Sequence, residues 1–288
     1  MNRTAGDDRR TAVTLFLCLF AFYALFRHDR DWNTASRLLL TYSLAETGSI
    51  EITPYVVRQD RLLRDPFTWD MASPDKRRFY CDKAPAQSFL GAALVAPLAK
   101  AGLWSLHGKA NDATIPRPEA YMRWPGDYAV TLFGSALFAA GAAALVFLFL
   151  RAHDADPVAA AGSALLLGFA SPFLPYATLF YGHVAAGFWT TLALYLTWRP
   201  AQPGRAASFA GGLAAGLATA TEYTLAVHAA AFVICGFAFV PFRRNIAAGL
   251  CFLAGGAMIA MALGGYHQAI NGSPWTPAYR YEVLAQFQ

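Results

Sequence analysis

Four short stretches of this sequence bring together residue types that can do chemistry. Asp29 and Asp31 stand in RHDRDW, directly after the first apolar run. A carboxylate held there can serve as a general base or bind a metal. The neighbouring Arg27, Arg30 and Trp32 equally fit a plain interfacial anchor, with snorkelling cations and a belt aromatic. Asp82 and Lys83 lie in YCDKAPA, just before the second apolar run. An outward lysine there is a compact point charge suited to a phosphate, or else a helix anchor. Tyr181-Gly182-His183 opens a later apolar run, and Glu222-Tyr223 falls between two more. A lone histidine at a helix end is more often structural than catalytic. An ionisable residue at membrane depth costs about 2.5–3.5 kcal/mol on insertion scales, so Glu222 is a functional candidate unless a loop solvates it.

The elements that position these residues are apolar runs. Hydrophobic residues make up 56% of the 288 and charged ones only 14%, against about 45–50% and 25% in soluble domains. The mean hydropathy is +0.34. Disorder is thereby ruled out, and a soluble globular enzyme fits poorly. The runs cover 12–27, 87–106, 127–150, 158–175, 182–198, 207–221, 224–241 and 246–267, several of them near the ~20 residues that a bilayer requires. The pattern predicts an all-α polytopic membrane protein. The net charge of +5 is spread over short loops and helix ends, which is the orienting charge of a membrane protein rather than a nucleic-acid footprint. The first run lacks a small-residue cleavage site and leads into Arg27-His28-Asp29, so it reads as an uncleaved first span. Four scattered cysteines form no disulfide framework and no CxxC site. There is no P-loop, no GxSxG, no HExxH and no dinucleotide fingerprint. Gly212-xxx-Gly216 would permit close helix packing.

Between the first two runs lies a polar segment, 28–86, too long to be an idle loop. Within it, Asn33–Gly48 has Ala35, Leu38, Leu39, Tyr42 and Ala45 on one helical face, with Arg37, Thr41 and Glu46 elsewhere. Asn33 suits the N-cap and Gly48 the stop, and a helix of this kind would lie in the membrane interface. Residues 49–53 alternate like a short strand. If the run 87–106 spans like the others, the later arginines face outside against the positive-inside tendency; since it holds Pro97 and Lys100, the preferred reading is re-entrant or interfacial. Arg151, Arg199, Arg205, Arg243 and Arg244 then share the cytoplasmic side with Arg3, Arg9 and Arg10. Tyr176, His183, Glu222 and the tail come outside with the long loop. The expected organisation is a cytoplasmic N-terminus (1–11), a first span (12–27), an extracytoplasmic loop region (28–126), a transmembrane bundle (127–270) and a polar tail (271–288).

One span, an acidic outer segment with the helix NTASRLLLTYSLAETGSI, and a DKAP box opening an apolar run together resemble the GT-C superfamily of membrane glycosyltransferases. The bacterial branch of protein O-mannosyltransferases and aminoarabinose transferases is the most similar. SPFLPYATLFYGHVAAGFW, GLAAGLATATEYT and NGSPWTPAYRYE look like further segments of that group. The resemblance implies a GT-C-like helix bundle and sugar transfer from a polyprenyl-phosphate donor to a cell-envelope lipid, glycan or protein on the extracytoplasmic face. Membrane lipids are the other expected partner, and nucleic acid is not one. Asp31, then Asp29, would be the base or a metal-linked carboxylate; the metal is open and no other cofactor is implied. Lys83, with Asp82, would meet the donor phosphate. His183, Tyr181, Glu222 and Tyr223 would line the site. The family's usual acidic pair at the helix start is replaced here by Asn33-Thr34. The alternative is a non-catalytic polytopic protein: a truncated or degenerate transferase, or one that resembles a transporter. The polar residues cluster at run ends, however, and no matched inverted halves are visible.

Overall fold

A computed structural model of the protein describes residues 5–26, 32–56, 71–101, 125–198, 203–238, 242–243 and 245–282. In chain order the elements are α1 (Ala5–Tyr23), α2 (Trp32–Thr47), α3 (Thr53–Val56), β1 (Met71–Ala72), β2 (Tyr80–Cys81), α4 (Ala86–Lys100) and α5 (Pro125–Thr131). A π-helical turn, Leu132–Ala136, joins α5 to α6 (Leu137–Ala152). Then follow α7 (Pro157–Phe169), α8 (Phe173–Ala177), α9 (Gly182–Thr197), α10 (Arg205–Thr221), α11 (Ala226–Ala238) and α12 (Ile246–Asn271). Short 3-10 turns at Tyr223–Leu225 and Ala278–Tyr281 precede α11 and close the described chain. Where they are described, the apolar runs thus become helices, with 158–175 broken between α7 and α8. Asp127–Ala152 and Ile246–Asn271, 26 residues each, are long and apolar enough to cross a membrane; at 1.5 Å per residue each extends about 39 Å.

The chain divides into two compact units. The first comprises Met1–Phe26, Ser135–Thr178 and Gly182–Ala262. It is a helical bundle built on small side chains, with Ala139, Ala140, Ala142, Ala143, Ala160 and Ala164 fully buried. Arg151 Nε donates to Asp8 Oδ1 at 2.9 Å, tying the end of α6 to the start of α1. Asp156 caps α7 by accepting from the backbone N–H of Val158 and Ala159, and Pro157 opens the helix where no amide partner is needed. On α10, a Cβ at Gly212 would overlap the Phe252 carbonyl of α12, and one at Gly216 would come within 2.7 Å of Ile259 Cβ. The small-xxx-small pair therefore serves the close packing it suggested.

The second unit comprises Arg27–Gly134, Leu179–Tyr181 and Leu263–Gln288. The long polar segment does not fold alone; the last turns of α12 and the tail complete it. The strands β1 and β2 pair antiparallel, Met71 with Cys81 and Ala72 with Tyr80. Glu51 bridges to Tyr80 from one side and Glu282 to Ala72 from the other. Leu40, Ile52, Met71, Tyr80, Cys81, Tyr266, Ile270 and Ala278 form one core; Leu38, Tyr42, Val95, Val130 and Phe180 belong to a second.

Three local expectations change. The helix α2 begins at Trp32, so Asn33 sits in its first turn, where its side-chain oxygen accepts from Arg37 Nε at 3.2 Å instead of capping the helix. Its end is as expected, at Gly48 with φ +70. Most of its polar residues do not face water: Thr34, Ser36, Arg37, Thr41 and Ser43 are buried, while Glu46 is partly buried and Thr47 exposed. The reason is that both sides of α2 have packing partners, α4 on one and the strand region with the tail on the other. The strand expected at 49–53 shrinks to the single bridge at Glu51, and Thr53 already starts α3.

Candidate functional site

The centre of the second unit is the turn between β2 and α4. Cys81 ends β2, Pro85 precedes α4, and Asp82, Lys83 and Ala84 lie between. Asp82 is fully buried and Lys83 is 4% exposed. Their side chains meet at 2.8 Å, Lys83 Nζ donating to Asp82 Oδ2. Two charges taken out of water are costly unless well paired and hydrogen-bonded, and the surroundings supply the bonds. From α2, the Ser36 hydroxyl lies 3.0 Å from Cys81 Sγ and 3.5 Å from Asp82 Oδ1. Arg37 Nη1 donates to the Ala84 carbonyl at 3.2 Å, and Ser88 Oγ donates to the Arg37 carbonyl at 2.9 Å. The polar face of α2 is therefore the scaffold of the DKAP turn.

The tail supplies the cover. The Tyr279 ring, in the 3-10 turn Ala278–Tyr281, has its centroid 4.5 Å from Lys83 Nζ. Burial alone would lower the Lys83 pKa, but the Asp82 carboxylate and Tyr279 outweigh it, and the ammonium is held well above its ordinary value. Lys83 is thus a permanent cation at neutral pH. Burial pushes the Cys81 thiol up to about 11, with Asp82 adding to the effect, so it is an inert neutral thiol. Burial also raises Tyr279, against the opposing pull of Lys83.

Around this centre, Gln87 Nε2 donates to the Tyr181 carbonyl at 2.8 Å and the Gly134 carbonyl at 3.3 Å. Tyr181 thus contributes through its backbone. The Tyr42 hydroxyl donates to Asp127 Oδ1. Asp29 and Asp31 lie outside the described residues.

A separate cluster belongs to the first unit. His183, in the first turn of α9, places Nδ1 3.5 Å from Glu222 Oε1, with His183 46% and Glu222 19% exposed. Glu222 ends α10 in an extended conformation, and Tyr223 starts the 3-10 turn that follows. A Cβ at Gly182 would collide with the Glu222 carboxylate and lie 2.8 Å from the Thr221 carbonyl. Only glycine allows α9 to start that close. The Tyr176 ring meets the imidazole edge-on at 4.6 Å. The two residues that looked unrelated in the sequence are therefore a histidine–carboxylate pair. Among the described residues no three His, Cys, Asp or Glu side chains group to hold a metal.

Lys83, Asp82, His183 and Glu222 were legible from residue type. Ser36, Arg37, Gln87 and Tyr279 were not. The signal for Arg37 was a full charge in the middle of a helix with an apolar face; Tyr279 had none.

An all-α chain with two helices long and apolar enough to cross a membrane is the class that the fold defines. Residues 63–244 match the family described as dolichyl-phosphate-mannose-protein mannosyltransferase, and the chain belongs to that family. It is a membrane glycosyltransferase of the GT-C type, a class that works on a lipid-linked sugar donor. No curated protein and no solved structure matches the chain.

Proposed function

We propose that the protein transfers a sugar from a polyprenyl-phosphate donor to a hydroxyl of a cell-envelope lipid, glycan or protein, on the extracytoplasmic side of the cytoplasmic membrane. The carrying observation is Lys83: a cation held charged by a buried carboxylate, inside the segment that matches the family. In the transfer, the acceptor oxygen bonds to the anomeric carbon as the bond from that carbon to the phosphate oxygen breaks. The acceptor proton passes to the Asp31 carboxylate, with Asp29 as its neighbour. The leaving electron pair stays on the lipid phosphate, whose growing charge Lys83 offsets. Asp82 keeps Lys83 protonated and aimed. His183, Glu222, Tyr181 and Tyr223 remain lining candidates. A divalent ion at Asp29 and Asp31 is compatible with their chemistry, and no step requires it.

The orientation rests on charge, with α4, which holds Pro97 and ends at Lys100, read as not spanning. A non-spanning α4 puts the arginine-bearing loops in the cytoplasm and the polar segment outside.

The test uses membranes supplied with a polyprenyl-phosphate-linked sugar and an acceptor fraction. Lys83→Met keeps the stem and deletes the charge, and transfer should fall roughly 100- to 1,000-fold with insertion unchanged. Asp31→Asn should abolish transfer, and Asp29→Asn should reduce it less. Normal transfer in Lys83→Met would leave Lys83 as a helix anchor and end the proposal.

A further inference from the structure

The Lys83 site is closed as it stands. Any phosphate that meets the ammonium needs a path to a group that is 4% exposed, and Asp82 on one side is fully buried. On another side lies the Tyr279 ring, 4.5 Å from Nζ and itself 42% exposed. The backbone carrying that ring is pinned. Ala278 is fully buried, the Tyr281 carbonyl accepts from Ser73 N–H at 2.9 Å, and Glu282 bridges to Ala72 of β1. The segment cannot lift away without breaking those contacts, but the half-exposed side chain can turn on that fixed backbone once it gives up its contacts with Lys83. The ring is therefore the movable part of the cover.

What the ring offers the cation is also the weaker bargain. Tyr279 holds the cation through its ring's quadrupole and a hydrogen bond at its neutral hydroxyl, whereas a phosphate oxygen makes a charge-assisted hydrogen bond with a full opposing charge. Both cannot hold the same side of one ammonium. Resting on the donor-phosphate reading of Lys83, we propose that Tyr279 is a donor-site residue: its ring occupies the ammonium until the phosphate of the lipid-linked donor displaces it, so the side chain at 279 sets donor affinity by competition. Its position keeps water off the cation between turnovers, and the phosphate displaces a ring rather than a hydration shell.

Competition predicts an order that a structural or liganding tyrosine would reverse. The probe is a polyprenyl monophosphate titrated into the purified full chain in detergent, with polyprenol as the tail-only control. Tyr279→Leu keeps apolar bulk over the ammonium but has no π face, and should tighten the apparent Kd about three- to tenfold. Tyr279→Phe keeps the π face but gives up the hydroxyl's bond to Lys83, and should bind as tightly as the unaltered chain or slightly more so. Tyr279→Trp, with the stronger ring, should weaken binding several-fold. All three should lose the difference between phosphate and polyprenol when combined with Lys83→Met. Weaker binding in Tyr279→Leu, or weaker binding in Tyr279→Phe, would overturn the inference and make Tyr279 a support or a direct phosphate ligand. If Tyr279→Leu fails to fold, the Tyr279→Trp arm decides, because tighter or equal binding there contradicts competition. Binding that depends on Lys83 but not on the side chain at 279 ends this inference alone. Binding indifferent to Lys83→Met in the unaltered background ends the donor-phosphate reading and this inference together.

Discussion

In the first unit, Ala193, Ala214, Ala215, Ala248 and Phe252 fill a core in which helices approach through small side chains. In the second, Arg37, Asp82, Lys83, Gln87 and Ser88 are buried, with Arg37, Ser88, Asp82 and Lys83 bonded around the DKAP turn and Gln87 to the Tyr181 and Gly134 carbonyls. The first arrangement suits a lipid solvent, where apolar burial gives no advantage and close packing does the work. The second is more expensive, since each buried polar group must find a partner. A protein keeps such a network where chemistry or a fixed geometry needs it, and the DKAP turn lies at its centre.

The contrast can be broken from either side. The largest effect should follow loss of one partner of the ion pair. Asp82→Ala removes the carboxylate 2.8 Å from the buried Lys83 ammonium and should cost about 3–5 kcal/mol, read as a drop in the thermal unfolding midpoint in detergent. The double variant Asp82→Ala/Lys83→Met should recover most of that stability without restoring transfer. No recovery of stability in the double variant would mean that the cost of Asp82→Ala does not come from leaving Lys83 without its carboxylate.

In the first unit the sensitive quantity is volume. Gly212→Val places atoms where the Phe252 carbonyl now lies, and overpacking of this kind costs about 1–3 kcal/mol. Gly162→Ala meets nothing within 4 Å and should be neutral or slightly stabilising. Equal midpoints for the two variants would deny that α10 and α12 depend on close approach.

Near neutral pH the smallest effect, because it is felt only above pH 9, is a pH dependence in the second unit. Cys81 ionises at its ordinary value, 9.0, when unfolded and at about 11 when folded. Its contribution is therefore complete below pH 9, declines as the pH rises from 9 to 11, and is gone above that. The full span corresponds to about 2–3 kcal/mol. Cys81→Ala should flatten this part of the alkaline decline, and an unchanged decline would assign it to other groups.

Much of the fold was legible because its signals are local. A run such as 246–267 becomes a helix whatever lies beside it, since a buried or lipid-facing backbone must bond to itself. The stop at Gly48 was equally local. The face of α2 was not: Arg37 and Thr41 look like a wet surface in one dimension, and only α4, the strands and the tail packing around them make that surface an interior. The same holds for His183 and Glu222, whose types suggested chemistry while their pairing depended on α9 starting against the end of α10.

By itself, then, the sequence determined the helices, the membrane class and the residues able to act, because hydropathy, charge and side-chain chemistry are properties of short segments. Tertiary structure alone decided that Lys83 is paired and covered rather than outward. Asp82 adjoins it in the chain, but Ser36 comes from α2 and Tyr279 from the tail. A buried charge is stable only where all its partners arrive together, and no single segment carries them.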